Sequence, residues 1–305
     1  MLIKLKLNKA IYNLTTKKVR LNNMSFNLDN IGKKTKEKTF GYDWKDVILY
    51  ALGIGAQPDE LPFVFEGVKG GLKVFPSFAT IAHMSANAMP MALGKGSGNL
   101  LTRMVHGSQQ IKCFNPFKKR GKIVNVGEVA SILDKGKNAV INIKVTGKSD
   151  KGELIYETLA GYFCFGMGGF GGDPGPQEDP LIPPEGVDPD FSIAYKTQEN
   201  QAALYRLNGD FNPLHIDPAF AMRVIKEANP ILHGLGTYGF ATRAIVYGLC
   251  DGDVTRFKEF GARFSKFVYP GDTITTEGWK HNGKYIIQAK TERNVVLSRA
   301  YAVVE

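Results

Sequence analysis

The stretches HGSQQIKCFNPFKKRGKI (residues 106–123) and FGARFSKFVYPGDTITTE (residues 260–277) decide the fold, because they carry Gly, Lys and Pro at matching places. The matched pairs are Gly107 and Gly261, Lys112 and Lys266, and Pro116 and Pro270. The offset is 154 residues for each pair, close to half of the 305-residue chain. Since domains commonly hold 50–250 residues, this spacing indicates two related modules of about 150 residues each.

Each stretch is followed by segments in which apolar, often β-branched residues alternate with polar ones. This pattern predicts antiparallel strands, with tight turns at Asp134-Lys135-Gly136 and at Asn282-Gly283. The strand segments are KIVNVGEVASILD, NAVINIKVTGK and ELIYETLAGYFCF in the first half, and DTITTEGWKH, KYIIQAKTE and VVLSRAYAVV in the second. Helical sequence precedes each set, at residues 74–89 and 231–246. We therefore predict an α+β fold in which each half wraps a sheet around one helix.

A Gly/Pro-rich segment lies between the halves. From Gly166 to Pro189, thirteen of the twenty-four residues are Gly or Pro, which sustain neither a helix nor a central strand. We divide the chain into a basic leader or tail (1–24), an N-terminal repeat (25–165), a linker (166–190) and a C-terminal repeat (191–305). The GMGGFGG part of the linker is not a phosphate loop, because no Gly-Lys-Ser/Thr follows it.

The net charge of +10 does not indicate a nucleic-acid partner, because it is concentrated at one end. Residues 1–38 carry +8, which leaves +2 for the other 267 residues. The basic leader is either a transit peptide or a basic tail, or the start is misassigned and Met24 is the first residue. No apolar run approaches the length of a membrane span, and the three cysteines lack metal-site or disulfide spacing.

The stretch LYRLNGDFNPLHIDPAFA (residues 204–221) concentrates polar groups between apolar segments. Asp217-Pro218 has the form of a helix N-cap followed by Pro, so it predicts a short helix over 218–227. Asp210, Asn212 and His215 precede that helix on irregular backbone. A carboxylate and an imidazole can share general acid and base work, and an amide can hold the water that a hydration consumes.

Gly234 lies at the predicted start of the second-half helix, where free N–H groups favour a developing negative charge such as that of a thioester enolate. The residues also permit a purely structural interpretation, in which Asp210 and Asn212 form an Asx turn and His215 is a satisfied structural histidine. We interpret His233 as a hydrogen-bonding residue at the helix start. We predict no metal site, because Asp210 and His215 lack a third ligand at a recognisable spacing.

The motif YRLNGDFNPLHIDPAFA, followed by PILHGLGTYGFATRA, resembles the signature of the R-specific type 2 enoyl-CoA hydratases, the MaoC-like branch of the hot-dog superfamily. The resemblance covers residues 25–305 and includes FGYDWKDVILYALGIGA, FVFEG, VHG, LDKG and ARFSKFVYPGD, with Asn208 where Ser is more familiar. It implies a double hot-dog fold with a long helix in each half. Only the C-terminal half would keep the hydratase motif, and the N-terminal half would accommodate the acyl chain.

The resemblance implies reversible hydration of a trans-2-enoyl-CoA to a (3R)-3-hydroxyacyl-CoA in fatty-acid β-oxidation. It assigns acid/base work to Asp210 and His215, water binding to Asn212 and the thioester oxygen to the Gly234 N–H. Further substrate-binding positions are His106, Gly107, Lys135, Phe211, Pro213, Leu214 and Phe264, and supporting positions are Glu66, Tyr205 and His233. Of these, Lys135 suits the phosphates of CoA and Phe264 an apolar part of the ligand.

The same resemblance implies a homodimer that needs no cofactor, since CoA is part of the substrate. It implies a peroxisomal location, although the chain ends in Ala-Val-Val-Glu rather than Ser-Lys-Leu, and the basic leader leaves a mitochondrial location as the alternative. Two other functions remain open. The protein could be a hot-dog thioesterase or carrier-protein dehydratase, or it could be an acyl-CoA-binding module without catalysis.

Overall fold

The computed structural model describes residues 26–94, 103–177 and 179–305, so the predicted leader lies outside the described residues. Within these described ranges, ten strands form one antiparallel sheet, in the order β1-β3-β4-β5-β2-β7-β10-β9-β8-β6. The strands are β1 (Lys38–Tyr42), β2 (Met104–Cys113), β3 (Gly121–Lys135), β4 (Asn138–Ser149), β5 (Leu154–Cys164), β6 (Phe191–Lys196), β7 (Phe257–Phe264), β8 (Thr273–His281), β9 (Lys284–Lys290) and β10 (Val295–Val304).

The sheet is built from two similar sets of five strands. β1 to β5 come from the first half and β6 to β10 from the second, and the order within one set mirrors the order within the other. The sets join where β2 pairs with β7, with Ser108 opposite Arg263 and Gln110 opposite Gly261. The two stretches that matched as repeats therefore pair with each other at the centre of the sheet, and the six predicted strands are confirmed.

Seven α-helices are present in the described part of the chain. They are α1 (Trp44–Gly53), α2 (Leu61–Val64), α3 (Ala79–Ala82), α4 (Met89–Ala92), α5 (Gln201–Tyr205), α6 (Pro218–Ile225) and α7 (Gly234–Cys250). α7 is the long central helix predicted for the second half. All of its first thirteen residues except Gly234 are buried. Such all-round burial is expected of a helix that a sheet encloses. No helix among the described residues is both long enough and apolar enough to cross a bilayer.

The prediction of one long helix in the first half is wrong. A 3₁₀ turn (Pro76–Phe78), α3, a second 3₁₀ turn (His83–Ala86) and α4 take its place. Pro90 explains the break, because its ring clashes with the carbonyl of the residue four positions earlier, Ala86, and it has no N–H to donate. The Asn87 side chain then accepts a hydrogen bond of 2.9 Å from the Met89 N–H and restarts the chain as α4.

A buried ion pair ties the two halves together away from the sheet. Arg243 on α7 is 3% exposed, and its Nε donates to Oε2 of Glu60 at 2.9 Å while its Nη2 pairs with the other carboxylate oxygen. The guanidinium lies 3.6 Å from the centre of the Tyr195 ring. Arg243 is thus held by a bidentate carboxylate and an aromatic face, the two partners that suit a planar cation best.

Candidate active site

Two short caps shape the backbone of the 204–221 motif. The Asp217 carboxylate accepts a 2.8 Å hydrogen bond from the Ala219 N–H and starts α6 at Pro218, as predicted. Asn212 also acts as a cap, because its Oδ1 accepts from the Leu214 N–H at 3.1 Å and starts a 3₁₀ turn. The Asp210 carboxylate accepts from the Asn212 N–H at 3.2 Å, so the Asx turn is present as well. The Asx turn of the structural interpretation is therefore confirmed.

His215 is held as a neutral imidazole. Its side chain is buried, and Nδ1 lies 2.9 Å from the carbonyl oxygen of Ile231, to which it donates. Burial lowers the pKa of His215, and the Ile231 carbonyl and Asp210 only partly oppose that effect. Because Nδ1 carries the proton, Nε2 presents a lone pair, which is the form that a general base needs.

His233 lies directly behind His215. The two rings stack with centroids 3.8 Å apart and an angle of 27° between planes. The side chain of His233 makes no cap bond at the start of α7; its Nε2 donates instead to the backbone carbonyl of Asp210 at 3.1 Å. His233 is therefore a hydrogen-bonding residue at the helix start, as predicted, and its bond fixes the backbone that carries Asp210. Burial, and next the neighbouring His215, lower its pKa to about 3.

The structure also corrects the reason given against a metal site. Ligand atoms of Asp210, His215 and His233 all lie within 4.8 Å of one another, so a third group of ligand type is present. However, the Nε2 of His233 is engaged with the Asp210 carbonyl. That nitrogen donates its proton to the carbonyl and so has no lone pair to offer an ion. The donor set fits proton transfer better than metal binding.

Gly234 places the open end of α7 beside this group. It is the first residue of the helix, and N–H groups of a first helical turn have no partner within the helix. A Cβ at Gly234 would lie 3.5 Å from the Phe264 ring, so that ring forms the adjacent wall. A carbonyl oxygen placed here would meet both a free N–H and the positive end of the α7 dipole.

The first half supplies the opposite wall. The His106 ring stacks on Tyr162 and meets Phe264 edge-on, both at centroid distances of 5.0 Å. Burial lowers the pKa of His106 to about 4, so this ring is also neutral. Gly107 occupies an irregularity where the pairing of β2 with β5 shifts, and a Cβ there would lie 3.3 Å from Phe163. His106 and Phe264 therefore meet across the β2–β7 junction, and Gly107 follows His106 on β2.

Lys135 lies at the same end of the sheet as His106 but closer to the edge strand β1. It ends β3, and β4 and β5 separate it from β2. Three strand spacings of about 4.8 Å place it roughly 14 Å from the His106 strand. Its side chain is exposed, as are Phe211, Asn212 and Pro213 on the motif side.

Comparison with known proteins identifies the fold and the family. Residues 40–166 match the MFE-2 hydratase 2 N-terminal domain, and residues 183–300 match the MaoC like domain. A Dictyostelium discoideum protein named probable enoyl-CoA hydratase 2 is 36% identical over 283 residues, which cover 90% of this chain and 95% of that protein. The chain belongs to the enoyl-CoA hydratase 2 family. Mouse peroxisomal multifunctional enzyme type 2 is 38% identical over 89% of this chain, which spans 37% of the mouse protein.

Solved structures agree with the double hot-dog fold expected of an enoyl-CoA hydratase 2. A MaoC-like dehydratase from Phytophthora capsici superposes with a TM-score of 0.83 at 29% identity, covering 92% of this chain and 98% of that one. A Mycobacterium tuberculosis protein described as a double hot-dog superposes with a TM-score of 0.55 at 12% identity, covering 89% and 95% of the two chains. The second likeness concerns the fold alone.

Two of the supporting positions in this hydratase 2 chain differ in their surroundings. Tyr205 is buried, and its ring lies 4.8 Å from that of His233, so it packs against the stacked His215–His233 rings. Glu66 is exposed in the turn region after α2, and the described residues show no hydrogen bond or ion pair for it. The ion-paired acid of this region is the partly buried Glu60, which sequence reasoning missed because its partner Arg243 lies 183 residues away.

Proposed function

We propose that this hydratase 2 chain catalyses the reversible addition of water to a trans-2-enoyl-CoA, giving a (3R)-3-hydroxyacyl-CoA in fatty-acid β-oxidation. The observation that carries the proposal is the position of Asp210 and a neutral His215 beside the open end of α7 at Gly234. Relatives named enoyl-CoA hydratase 2 support the same reaction. The protein is accordingly a hydro-lyase.

Asp210 and His215 form the acid/base pair around the attacking water. The Nε2 lone pair of His215 accepts a proton as the water oxygen bonds to C3 of the substrate. C2 gains a proton from the pair, so water supplies both the new hydroxyl group and the new hydrogen. The amide of Asn212, whose nitrogen has no partner among the described residues, helps to hold the water.

The Gly234 N–H stabilises the thioester oxygen while C2 carries negative charge. A donor aimed at such an oxygen in a closed site contributes on the order of 10²–10³ in kcat. His106, Gly107 and Phe264 line the thioester, together with Phe211, Pro213 and Leu214 of the motif. Lys135 meets the phosphates at the far end of CoA, since an ammonium and a phosphate attract and hydrogen-bond.

The two halves divide the work at the Gly/Pro-rich segment 166–190. Residues 191–305 carry the acid/base motif, and residues 25–165 accommodate the acyl chain. The broken helix of the first half supports this division, because it replaces a continuous buried helix by short turns. Glu66 remains a proposed supporting residue, in spite of its exposure.

The reaction needs no cofactor, because side chains and a backbone N–H perform every proton transfer and stabilisation. The protein acts as a homodimer. Its location is the peroxisome, as the name of the mouse relative suggests, with the mitochondrion as the alternative. Light scattering measures the oligomeric state. Fluorescence microscopy of the tagged full chain, with and without residues 1–24, decides the location.

A kinetic experiment on purified protein tests the activity. Wild type is assayed with crotonyl-CoA and decenoyl-CoA, and the product configuration is determined by chiral chromatography. Asp210→Asn and His215→Gln are compared with His281→Gln, which changes an exposed histidine. We expect loss of about 10³-fold or more in the first two variants and none in the third.

The alternatives give different results in the same assay. Release of free CoA thiol would indicate a thioesterase, and reaction of carrier-bound substrates alone would indicate a carrier-protein dehydratase. Binding without turnover by wild type would indicate an acyl-CoA-binding module. An S product, or full activity in both site variants, would overturn the proposal.

A further inference from the structure

The Gly-rich start of the linker encloses a single carboxylate. Both oxygens of Asp134 accept backbone hydrogen bonds: Oδ1 from the N–H groups of Gly136 (2.9 Å) and Gly169 (2.8 Å), and Oδ2 from those of Gly171 (2.7 Å) and Gly172 (3.3 Å). Successive N–H groups that converge in this way form an anion-binding nest. The GMGGFGG sequence thus binds an anion, but the anion is a side chain of the protein itself.

The glycines are required by the backbone of this nest. Gly136, Gly169 and Gly171 have φ values of 75°, 79° and 77°, which lie in the left-handed region that glycine adopts readily. Gly168 also approaches the β3–β4 hairpin so closely that a Cβ would stand 2.1 Å from the Asn138 carbonyl oxygen. The segment is therefore docked on the hairpin and is not a free connector.

Docking is reinforced by charge and by backbone pairing. The hydrogen bonds from Gly169, and then those from Gly171, Gly136 and Gly172, lower the pKa of Asp134 in spite of desolvation, so the carboxyl group is ionised at neutral pH. The Asp134 N–H donates to the Asp173 carbonyl at 2.8 Å. Asp134 is thus bound to the linker through both its side chain and its main chain.

The docked linker reaches the neighbouring residue, Lys135. The Lys135 ammonium donates a hydrogen bond to the carbonyl oxygen of Pro174, which follows the nest directly. An ammonium has three N–H donors, so two remain for a ligand. A long side chain that is held at one donor loses less conformational entropy when it binds.

We propose that Asp134 is a positioning residue for the CoA nucleotide: it fixes residues 168–175 so that Pro174 orients Lys135 towards the phosphates. This inference rests on the proposed function, because it takes Lys135 as the residue that meets CoA. The linker is on this view a part of the substrate site and not only a tether between the halves. Asp134 acts on binding of the nucleotide and leaves the chemistry at Asp210 and His215 unchanged.

A truncated substrate distinguishes a role of Asp134 in nucleotide binding from a general destabilisation of the protein. Wild type, Asp134→Asn, Lys135→Met and the double variant are assayed with an enoyl-CoA and with the matching enoyl-pantetheine, which lacks the nucleotide. Asp150→Asn, on the exposed β4–β5 turn, is the control. We expect Asp134→Asn to raise KM for the CoA ester about five- to tenfold, with kcat and the pantetheine KM unchanged.

The double variant tests whether Asp134 acts through Lys135. Asp134→Asn added to Lys135→Met raises the CoA-ester KM by less than twofold more, because coupled residues are not additive. Gly171→Ala, which strains the nest at a φ of 77°, gives a smaller KM increase of the same kind and replaces Asp134→Asn if that variant does not fold.

Equal KM increases for both substrates, no increase, or full additivity would each overturn the inference. None of these results affects the proposed hydratase activity, which is tested separately by turnover of the wild type, by the product configuration and by the Asp210 and His215 variants.

Discussion

His233 Nε2 donates a 3.1 Å hydrogen bond to the backbone carbonyl of Asp210 while its ring stacks on His215. One buried side chain therefore contacts both members of the proposed acid/base pair, one through its backbone and the other through its ring. It also directly precedes α7, whose first N–H groups lie beside the pair. The relative positions of Asp210, His215 and the Gly234 N–H therefore depend on this one side chain.

Replacement of His233 tests this dependence. We expect His233→Phe to keep a stacking ring but to lose the donor to Asp210, and kcat to fall about 10- to 100-fold, as for other residues that orient reacting groups. Steady-state hydration kinetics measure the change. His233→Gln, which retains a donor, recovers part of the activity. Unchanged kcat in the Phe variant would show that Asp210 is positioned without this bond.

Substitution of Gly127 tests the close contact between β3 and the broken helix of the first half. A Cβ at this position would stand 1.9 Å from the Ala86 carbonyl oxygen, whereas a Cβ at Gly41 on the edge strand would meet nothing within 4 Å. We expect Gly127→Ala to lower the free energy of unfolding by about 1–3 kcal/mol, because the backbone must shift. Urea titration measures this, with Gly41→Ala as the matched control. Equal stability of the two variants would contradict the contact.

Loss of the Glu60–Arg243 pair is expected to lower the free energy of unfolding more than Gly127→Ala does. Glu60→Gln leaves the charge of a 3% exposed arginine without its counter-charge, and breaking such a pair typically costs about 3–5 kcal/mol. Glu66→Gln, six residues later and exposed, is the control and is expected to change stability by less than about 0.5 kcal/mol. Thermal and urea unfolding measure both. The kinetics of Glu66→Gln also test the proposed supporting role of that residue.

Buried histidines predict that the protein loses stability in mild acid. Burial lowers the pKa of His83 to about 3, against about 6.5 in an unfolded chain. Between these values only the unfolded state takes up the proton, so the folded state loses stability as pH falls below about 6.5. At pH 5 the loss is about 2 kcal/mol for each such histidine.

Urea unfolding at pH 7 and pH 5 checks the sign and the size of this effect. His83→Gln is expected to reduce the difference between the two pH values, and His281→Gln, which changes an exposed histidine, is expected to leave it unchanged. Greater stability at pH 5 than at pH 7 would contradict the assignment.

The sequence by itself determined the local features. Alternation of apolar residues predicted six strands, Asp217-Pro218 predicted the start of α6, and the 154-residue offset predicted the duplication, because these signals depend on neighbours in the chain. The resemblance of the 204–221 motif also led to the hydratase family before any geometry was known. The edge strands β1 and β6 and the central strands β2 and β7 were not among the predicted strands.

The tertiary structure alone decided which distant residues meet. His233 reaches the Asp210 carbonyl, Arg243 reaches Glu60, and the glycine-rich linker closes around Asp134, each across at least 23 residues of chain. The sequence of the first half also predicted a long helix, but packing against Gly127 and the restriction at Pro90 gave short turns instead. Hydrogen bonds and close contacts between remote segments depend on the packed chain, and periodicity along the sequence does not encode them.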